Sequence, residues 1–293
     1  MQGKFLGVDS YDKLLTEDTD AYSMQGELLL RFRKNAIPLP ILIEGYMGLK
    51  HGVRLTEARG TAAGESFKRK RLDGSTTNTT VNNRVETGAA GYMDANAMVR
   101  YCRMTALTAE YFNDFKRSYP FVKHVSNLYK ELCPEYYARQ LNIVKGSNKN
   151  YIIPETVFST VTVNRNFQTA VHKDSGDYPH GFGNLIVYRE GENWSGSYFC
   201  LPQYRVAVDM RNTDLLFVDV HKWHGNTPFI NFNPSPTPFS NSKLNPQKEM
   251  YKPGGVDMRF AFVMYYRENV INCKQPAQEL KDVQMESGGF LKL

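Results

Sequence analysis

The spacing of apolar positions changes twice along the chain. Residues 26–33, GELLLRFR, and 36–43, AIPLPILI, read as strands or extended segments, with Pro38 and Pro40 keeping the second at an edge or bend. From residue 60 to 91 the composition shifts to Gly, Thr, Asn and basic residues, including STTNTTVNN at 75–83, which predicts a long loop. A helical period follows. Leu107 and Phe112 sit where a hydrophobic staple would place them around an N-cap at Thr108, and Pro120 should end that helix. A second helix carries Phe121, Val125, Leu128 and Leu132 at helical spacing, with Pro134 just beyond it.

From Val157 the period becomes two. VFSTVTV is followed by LIVY at 185–188, YFCL at 198–201, YRVAVD at 204–209, DLLFVDV at 214–220 and RFAFVMYY at 259–266, separated by Gly, Asn, Asp or Pro. Short strands of this kind form antiparallel sandwiches or barrels. The helices precede these strands instead of alternating with them, which argues against a Rossmann sheet and for helices backing one face of a double-sheet jelly roll. The expected class is α+β, mainly β. A length of 293 residues fits one domain. Within it, residues 1–150 form a helical and extended elaboration, 151–270 the jelly-roll core and 271–293 a tail.

Composition refines this picture in three places. A hydrophobic fraction of 41% supports a sizeable core and excludes general disorder. The N-terminus has no secretory pattern and no stretch has the apolar length of a membrane span, so the expectation is an intracellular protein without a membrane partner. No feature calls for an obligate protein partner. Cys102, Cys133, Cys200 and Cys273 are scattered, which fits reduced, mostly buried thiols better than disulfides. The net charge of +6 favours polyanions, and Lys68, Arg69, Lys70 and Arg71 concentrate part of it as a candidate phosphate-binding run, against the plainer reading of a solvated loop.

The chemistry is concentrated in TAVHKDSGD at 169–177. In extended chain, residues two apart point the same way, so His172 and Asp174 present an imidazole and a carboxylate to one point. A second imidazole is available in HKWHGNTP at 221–228, where His224 is preferred to His221 because of the His-Gly-x-x-Pro turn after DLLFVDV. Two histidines and a carboxylate on one face leave open positions on a metal, the arrangement of non-haem Fe(II) oxygenases. Arg259 opens a strongly apolar strand, and an arginine there is costly to bury unless it meets an anion. The C5 carboxylate of 2-oxoglutarate suits a planar guanidinium.

The segments VTVNRNFQTAVHKDSGD, GFGNLIVY, YFCLPQYRVAVDMRNTDLLFVDVHKWHGNTP and MRFAFVMYYRE together resemble the TET/JBP group of dioxygenases, over roughly residues 155–268. The resemblance implies a double-stranded β-helix and hydroxylation of the 5-methyl group of thymine or 5-methylcytosine in DNA, with Fe(II), 2-oxoglutarate and O2. His172, Asp174 and His224 would bind iron and Arg259 the 2-oxoglutarate, with Arg267 as the substitute because an Asn- and Pro-rich insertion at 229–256 lengthens the usual spacing. Asp177 matches an acid that holds ascorbate in an algal relative using it as co-substrate; the alternative is a turn cap beside Gly176. Tyr178, Phe182 and Trp223 are further aromatic candidates for stacking on a base at the mouth. Two other readings stay open: a hydroxylase of a nucleotide, protein side chain or metabolite, and a metal-free module that only holds nucleic acid.

Overall fold

The computed structural model describes residues 1–71, 74–236 and 254–286. In chain order its elements are β1 (Lys13–Leu15), β2 (Thr19–Tyr22), β3 (Leu28–Arg33), α1 (Leu39–Leu49), β4 (Arg54–Thr56), β5 (Phe67–Lys70), β6 (Thr76–Val81), β7 (Val85–Met93) and β8 (Arg103–Met104). Four helices follow: α2 (Ala106–Glu110), α3 (Phe112–Arg117), α4 (Tyr119–Leu132) and α5 (Pro134–Gly146). The second half holds β9 (Thr160–Arg165), β10 (Gly183–Glu190), β11 (Ser195–Gly196), β12 (Phe199–Leu201), β13 (Val206–Val208), β14 (Leu215–Val218), β15 (Gly225–Asn226), β16 (Phe229–Ile230), β17 (Met258–Tyr265) and α6 (Pro276–Glu286).

Strict alternation along the central strands sets the layers. On β17, Phe260, Phe262 and Met264 turn to one side and join Val161 and Val163 of β9, Ile186 of β10 and Phe217 of β14 in a core completed by Phe121, Val122, Val125 and Tyr129 of α4. On the other side, Leu185, Val187, Leu216, Val218 and Ala261 pack against Phe199, Leu201 and Val208. Each fully buried Phe or Leu contributes about 1.5–3 kcal/mol by leaving water. The large sheet, ordered β2-β3-β14-β10-β17-β9-β7-β4 with β8 on β7, therefore has helices on one face. Its other face meets a smaller sheet ordered β1-β13-β12-β15. These are the two sheets of a jelly roll, or double-stranded β-helix. The N-terminal segment is woven into both, supplying β1 to the small sheet and β2, β3, β4 and β7 to the large one.

Several local expectations are corrected. Residues 36–43 do not form a strand: Pro38 caps and Pro40 opens α1, where a fixed φ favours the first helical turn. Gly45 and Gly48 then let α1 approach Phe121 of α4 and the backbone at Asp114 and Ser118. Thr105, not Thr108, is the N-cap of α2, its side chain accepting from Thr108 N. Pro120 begins α4 instead of ending a helix, and Pro134 opens the further helix α5 by the same first-turn preference. The stretch 60–91 is not one loop but a short 3-10 turn (Gly60–Ala63), the β5–β6 hairpin and most of the buried strand β7.

The cysteine expectation is also overturned for one pair. Cys102 and Cys273 form a disulfide across a sequence separation of 171. Folding brings together two positions that no spacing rule connects, whereas Cys133 and Cys200 are free and buried as expected. No helix among the described residues is long and apolar enough to cross a membrane.

Candidate metal centre and co-substrate cavity

His172 and His224 are opposite residues of a single antiparallel bridge, exchanging N–H···O bonds of 2.9 Å in both directions. Directly paired residues carry their side chains on the same face, and here the ring centroids are 4.3 Å apart. Asp174 follows two residues along, its N–H bonded to Val220 O at 3.0 Å, so its carboxylate returns to that face. The Nε2 atoms of His172 and His224 lie 3.4 and 3.8 Å from the two Asp174 carboxylate oxygens.

The other ring nitrogens decide what this cluster can hold. His172 Nδ1 is 2.8 Å from Ala170 O and His224 Nδ1 is 3.0 Å from Lys222 O. A carbonyl only accepts, so each Nδ1 donates, and in a neutral imidazole Nε2 then presents a lone pair. Burial pulls His224 down to about 4, which keeps its ring neutral at pH 7. Burial opposes ionisation of Asp174, but the His172 and His224 rings and Arg59 outweigh it and hold the carboxyl well below its usual range. Both Nε2 atoms and the carboxylate thus converge on one point, while both Nδ1 protons are turned away to carbonyls. That donor set fits a divalent cation, and three protein ligands on one face leave room for other ligands.

The cavity beside these groups, about 130 Å³, is walled by alternate residues of adjacent strands. Strand β17 contributes Arg259, Ala261, Val263 and Tyr265, and β9 contributes Thr162 and Asn164. Leu185, Phe199 and Asn226 add to the wall, with Phe199 stacked on the His224 ring at 5.4 Å. Arg259 is only 4% exposed. Its backbone N–H is held by Asn166 Oδ1 at 2.8 Å, yet its guanidinium has no hydrogen bond or ion pair among the described residues. Burial, reinforced by the charge of Arg189 directly across the β10–β17 ladder, brings it down to about 9, still cationic at neutral pH. Arg189, by contrast, is satisfied by Asp209 at 3.3 Å and by two carbonyls.

Asp177 and Arg267 enter the same cavity as a backbone-bridged pair. Burial and the neighbouring Asp174 charge push the Asp177 carboxyl well above its usual range, against the pull of Arg267 and Arg59. Arg267 is ion-paired with Asp94, so of the two arginines considered for an anion, Arg259 is the one left unpaired. His221 stays outside the cavity, with Nε2 3.4 Å from Tyr178 O. The three aromatic candidates are not in its wall either. Phe182 is buried against Tyr136, Tyr178 packs on His180 and Tyr266, and Trp223 lies under Lys173. Phe167, Phe199 and Tyr265 take that place, because inward positions of strands and their connections supply the lining.

Arg59 was not foreseen. It lies more than a hundred residues before His172 in a polar stretch without periodicity, and only the fold brings it to the cavity. Its Nε is buried without a hydrogen-bond partner. The unusual spacing around 229–256 is explained in part: Phe229–Ile230 pairs with Ser195–Gly196 and Arg165 reaches Ser235 and Pro236, while residues 237–253 lie outside the described residues. Of the basic run, Lys68, Lys70 and Arg71 fall on and beside β5, and the Arg69 side chain lies outside the described part.

A family model described as the oxygenase domain of the 2OGFeDO superfamily, Tet_JBP, matches residues 88–268. The chain belongs to this family. The matched span contains both histidines, Asp174, Asp177, Arg259 and Arg267, and leaves out Arg59 and the β5–β6 hairpin. The bifunctional helicase and thymine dioxygenase JBP2 of Leishmania tarentolae is 36% identical over 148 residues, 50% of this chain and 13% of that protein. Thymine dioxygenase JBP1 of Trypanosoma brucei brucei is 36% identical over 142 residues, 48% of this chain and 16% of that protein. JBP2 of Trypanosoma cruzi is 33% identical over 233 residues, 78% of this chain and 20% of that protein. The chain therefore spans a small fraction of these relatives' length. Among solved structures, NgTET1 in complex with 5mC DNA shares the fold at a TM-score of 0.59 and 13% identity, over 96% of this chain and 88% of that one.

Proposed function

We propose that the protein is an Fe(II)- and 2-oxoglutarate-dependent dioxygenase that hydroxylates the 5-methyl group of a pyrimidine, thymine or 5-methylcytosine, in DNA. The observation that carries this reading is the sharing of one cavity by the converging His172, Asp174 and His224 donors and the unpaired, buried Arg259. The names of the relatives, thymine dioxygenases, and of the solved neighbour, bound to 5mC DNA, support the substrate class.

In this reading His172, Asp174 and His224 hold the iron, and the carbonyls of Ala170 and Lys222 fix the imidazole tautomers and ring planes. Iron bound there with 2-oxoglutarate and O2 would supply the power to hydroxylate a methyl C–H bond, with succinate and CO2 as co-products. Arg259 takes the distal carboxylate of 2-oxoglutarate, an interaction strengthened by the apolar neighbours Leu185, Phe199, Ala261 and Val263. Asp177 faces the bound co-substrate or base, and would be the anchor were ascorbate used instead. Thr162, Asn164 and Asn226 give the cavity short polar side chains for orienting the base. A cavity enclosed between two sheets cannot reach a methyl group stacked in a duplex, so the target base is flipped out or supplied single-stranded.

Succinate release tests the reading. It should require Fe(II) and rise severalfold on adding methylated or thymine-containing DNA. Iron-dependent release that ignores DNA but responds to a nucleotide or metabolite would transfer the same chemistry to another substrate, and no release at all would leave only a binding module.

A further inference from the structure

The β5–β6 hairpin forms a sheet of its own, pairing with no other strand among the described residues. Its two faces are almost wholly exposed, including Phe67 at 46%, and β6 shows only two half-buried positions, Thr77 and Val81. An uncovered two-stranded ribbon is marginally stable in water. Its base, however, is firmly fixed to the cavity wall. Ala63 and Val85, which flank the hairpin, pack on Phe167, a residue lining the cavity. Ala170 N–H bonds to Ala62 O at 2.9 Å and Asn83 Nδ2 to Ala63 O at 2.8 Å. Arg59, in the same cavity, lies just before this root.

The exposed ribbon is cationic. Lys68, Lys70 and Arg71 have no side-chain hydrogen bond or ion pair among the described residues, and the opposite strand offers the hydroxyls of Thr76, Thr79 and Thr80. We propose that this hairpin is a DNA-gripping arm that lies along the duplex beside the target base. This rests on the DNA reading above and adds the surface that delivers the duplex to the cavity. A two-stranded ribbon fits the major groove, and unpaired lysine and arginine fit phosphates. The four residue steps from Phe67 to Arg71 reach about 13 Å at roughly 3.3 Å each, or about four base-pair steps.

The test is equilibrium binding of the full chain to duplexes with a central target base, comparing the wild type with the combined variant Lys68→Ser, Lys70→Ser, Arg71→Ser. Three lost phosphate contacts should flatten the slope of log affinity against log salt by about 2.7, at about 0.9 per contact. Between 50 and 200 mM salt the wild type should then lose about 40-fold more affinity than the variant. Removing the duplex beyond the target on one side should abolish that difference. The variant Lys68→Arg, Lys70→Arg keeps the charge and should keep the slope, which separates charge from folding of the hairpin. An unchanged slope and unchanged length dependence in the Ser variant would overturn the arm, whether or not DNA is oxidised. If the slope flattens as stated but no pyrimidine is oxidised, the arm stands and the catalytic reading fails.

Discussion

Replacing Arg259 by Met separates an anion receptor from a structural arginine. The guanidinium is buried, lies across from Arg189 and has no partner of its own among the described residues. Its removal from the metal-free protein therefore breaks no side-chain hydrogen bond and relieves a desolvated charge. The melting temperature should stay the same or rise. The loss should appear on the co-substrate side. A charge-assisted pair broken in a buried site costs about 2–5 kcal/mol, which is roughly 30- to 4000-fold in 2-oxoglutarate affinity. Thermal unfolding with Mn(II) in place of iron reads both effects. At 2-oxoglutarate near a hundred times Kd, binding stabilises by about 2.7 kcal/mol, a rise of about 4 °C for a chain of 293 residues. In Arg259→Met at the same concentration that rise should fall to about 1 °C or less. A lowered metal-free melting temperature together with an undiminished 2-oxoglutarate shift would show that Arg259 serves the fold and not the ligand.

His172→Ala, Asp174→Ala and His224→Ala should each abolish iron-dependent turnover, whereas His221→Ala, which lies outside the cavity, should keep most of it; metal content and succinate release check this. Gly45→Ala should lower the melting temperature by up to about 3 °C, because the new Cβ would fall 2.2 Å from Phe121 Cδ1. The overpacking cost of about 1–3 kcal/mol exceeds the helix-propensity gain of about 1 kcal/mol, so an unchanged or raised melting temperature would refute this view of the α1–α4 contact. Cys102→Ser should remove about 2–4 kcal/mol of stability under non-reducing conditions, and wild type and variant should melt together once a reductant is added.

The convergence of His172, Asp174 and His224 was legible in the sequence because each is written locally. His172 and Asp174 follow the two-residue period of extended chain, and His224 stands in the short His-Gly-x-x-Pro segment that follows an apolar strand. Arg259 was legible for a different reason, as a charge in a strand whose alternate residues are Phe260, Phe262 and Met264. The misses share a cause as well. Residues 75–83 alternate nothing because both faces of the hairpin meet solvent, so its strands looked like loop. Residues 36–43 are apolar without a period, and two prolines there suit a helix start as well as a strand edge. Helix α5 buries only Gln140 fully and left little stripe to read. Arg59 and the Cys102–Cys273 pair depend on contacts across more than a hundred residues, which no window contains.

Nucleoside mass spectrometry after incubation with Fe(II), 2-oxoglutarate and DNA measures the proposed chemistry itself. Parallel reactions with 5-methylcytosine DNA and with unmodified DNA distinguish the two pyrimidines. A hydroxymethylated pyrimidine should appear in at least one of them, in proportion to succinate and absent with Asp174→Ala. Succinate formed with every nucleoside unchanged, or an oxidised pyrimidine still formed at the wild-type rate by Asp174→Ala, would contradict a DNA pyrimidine dioxygenase acting through this metal centre.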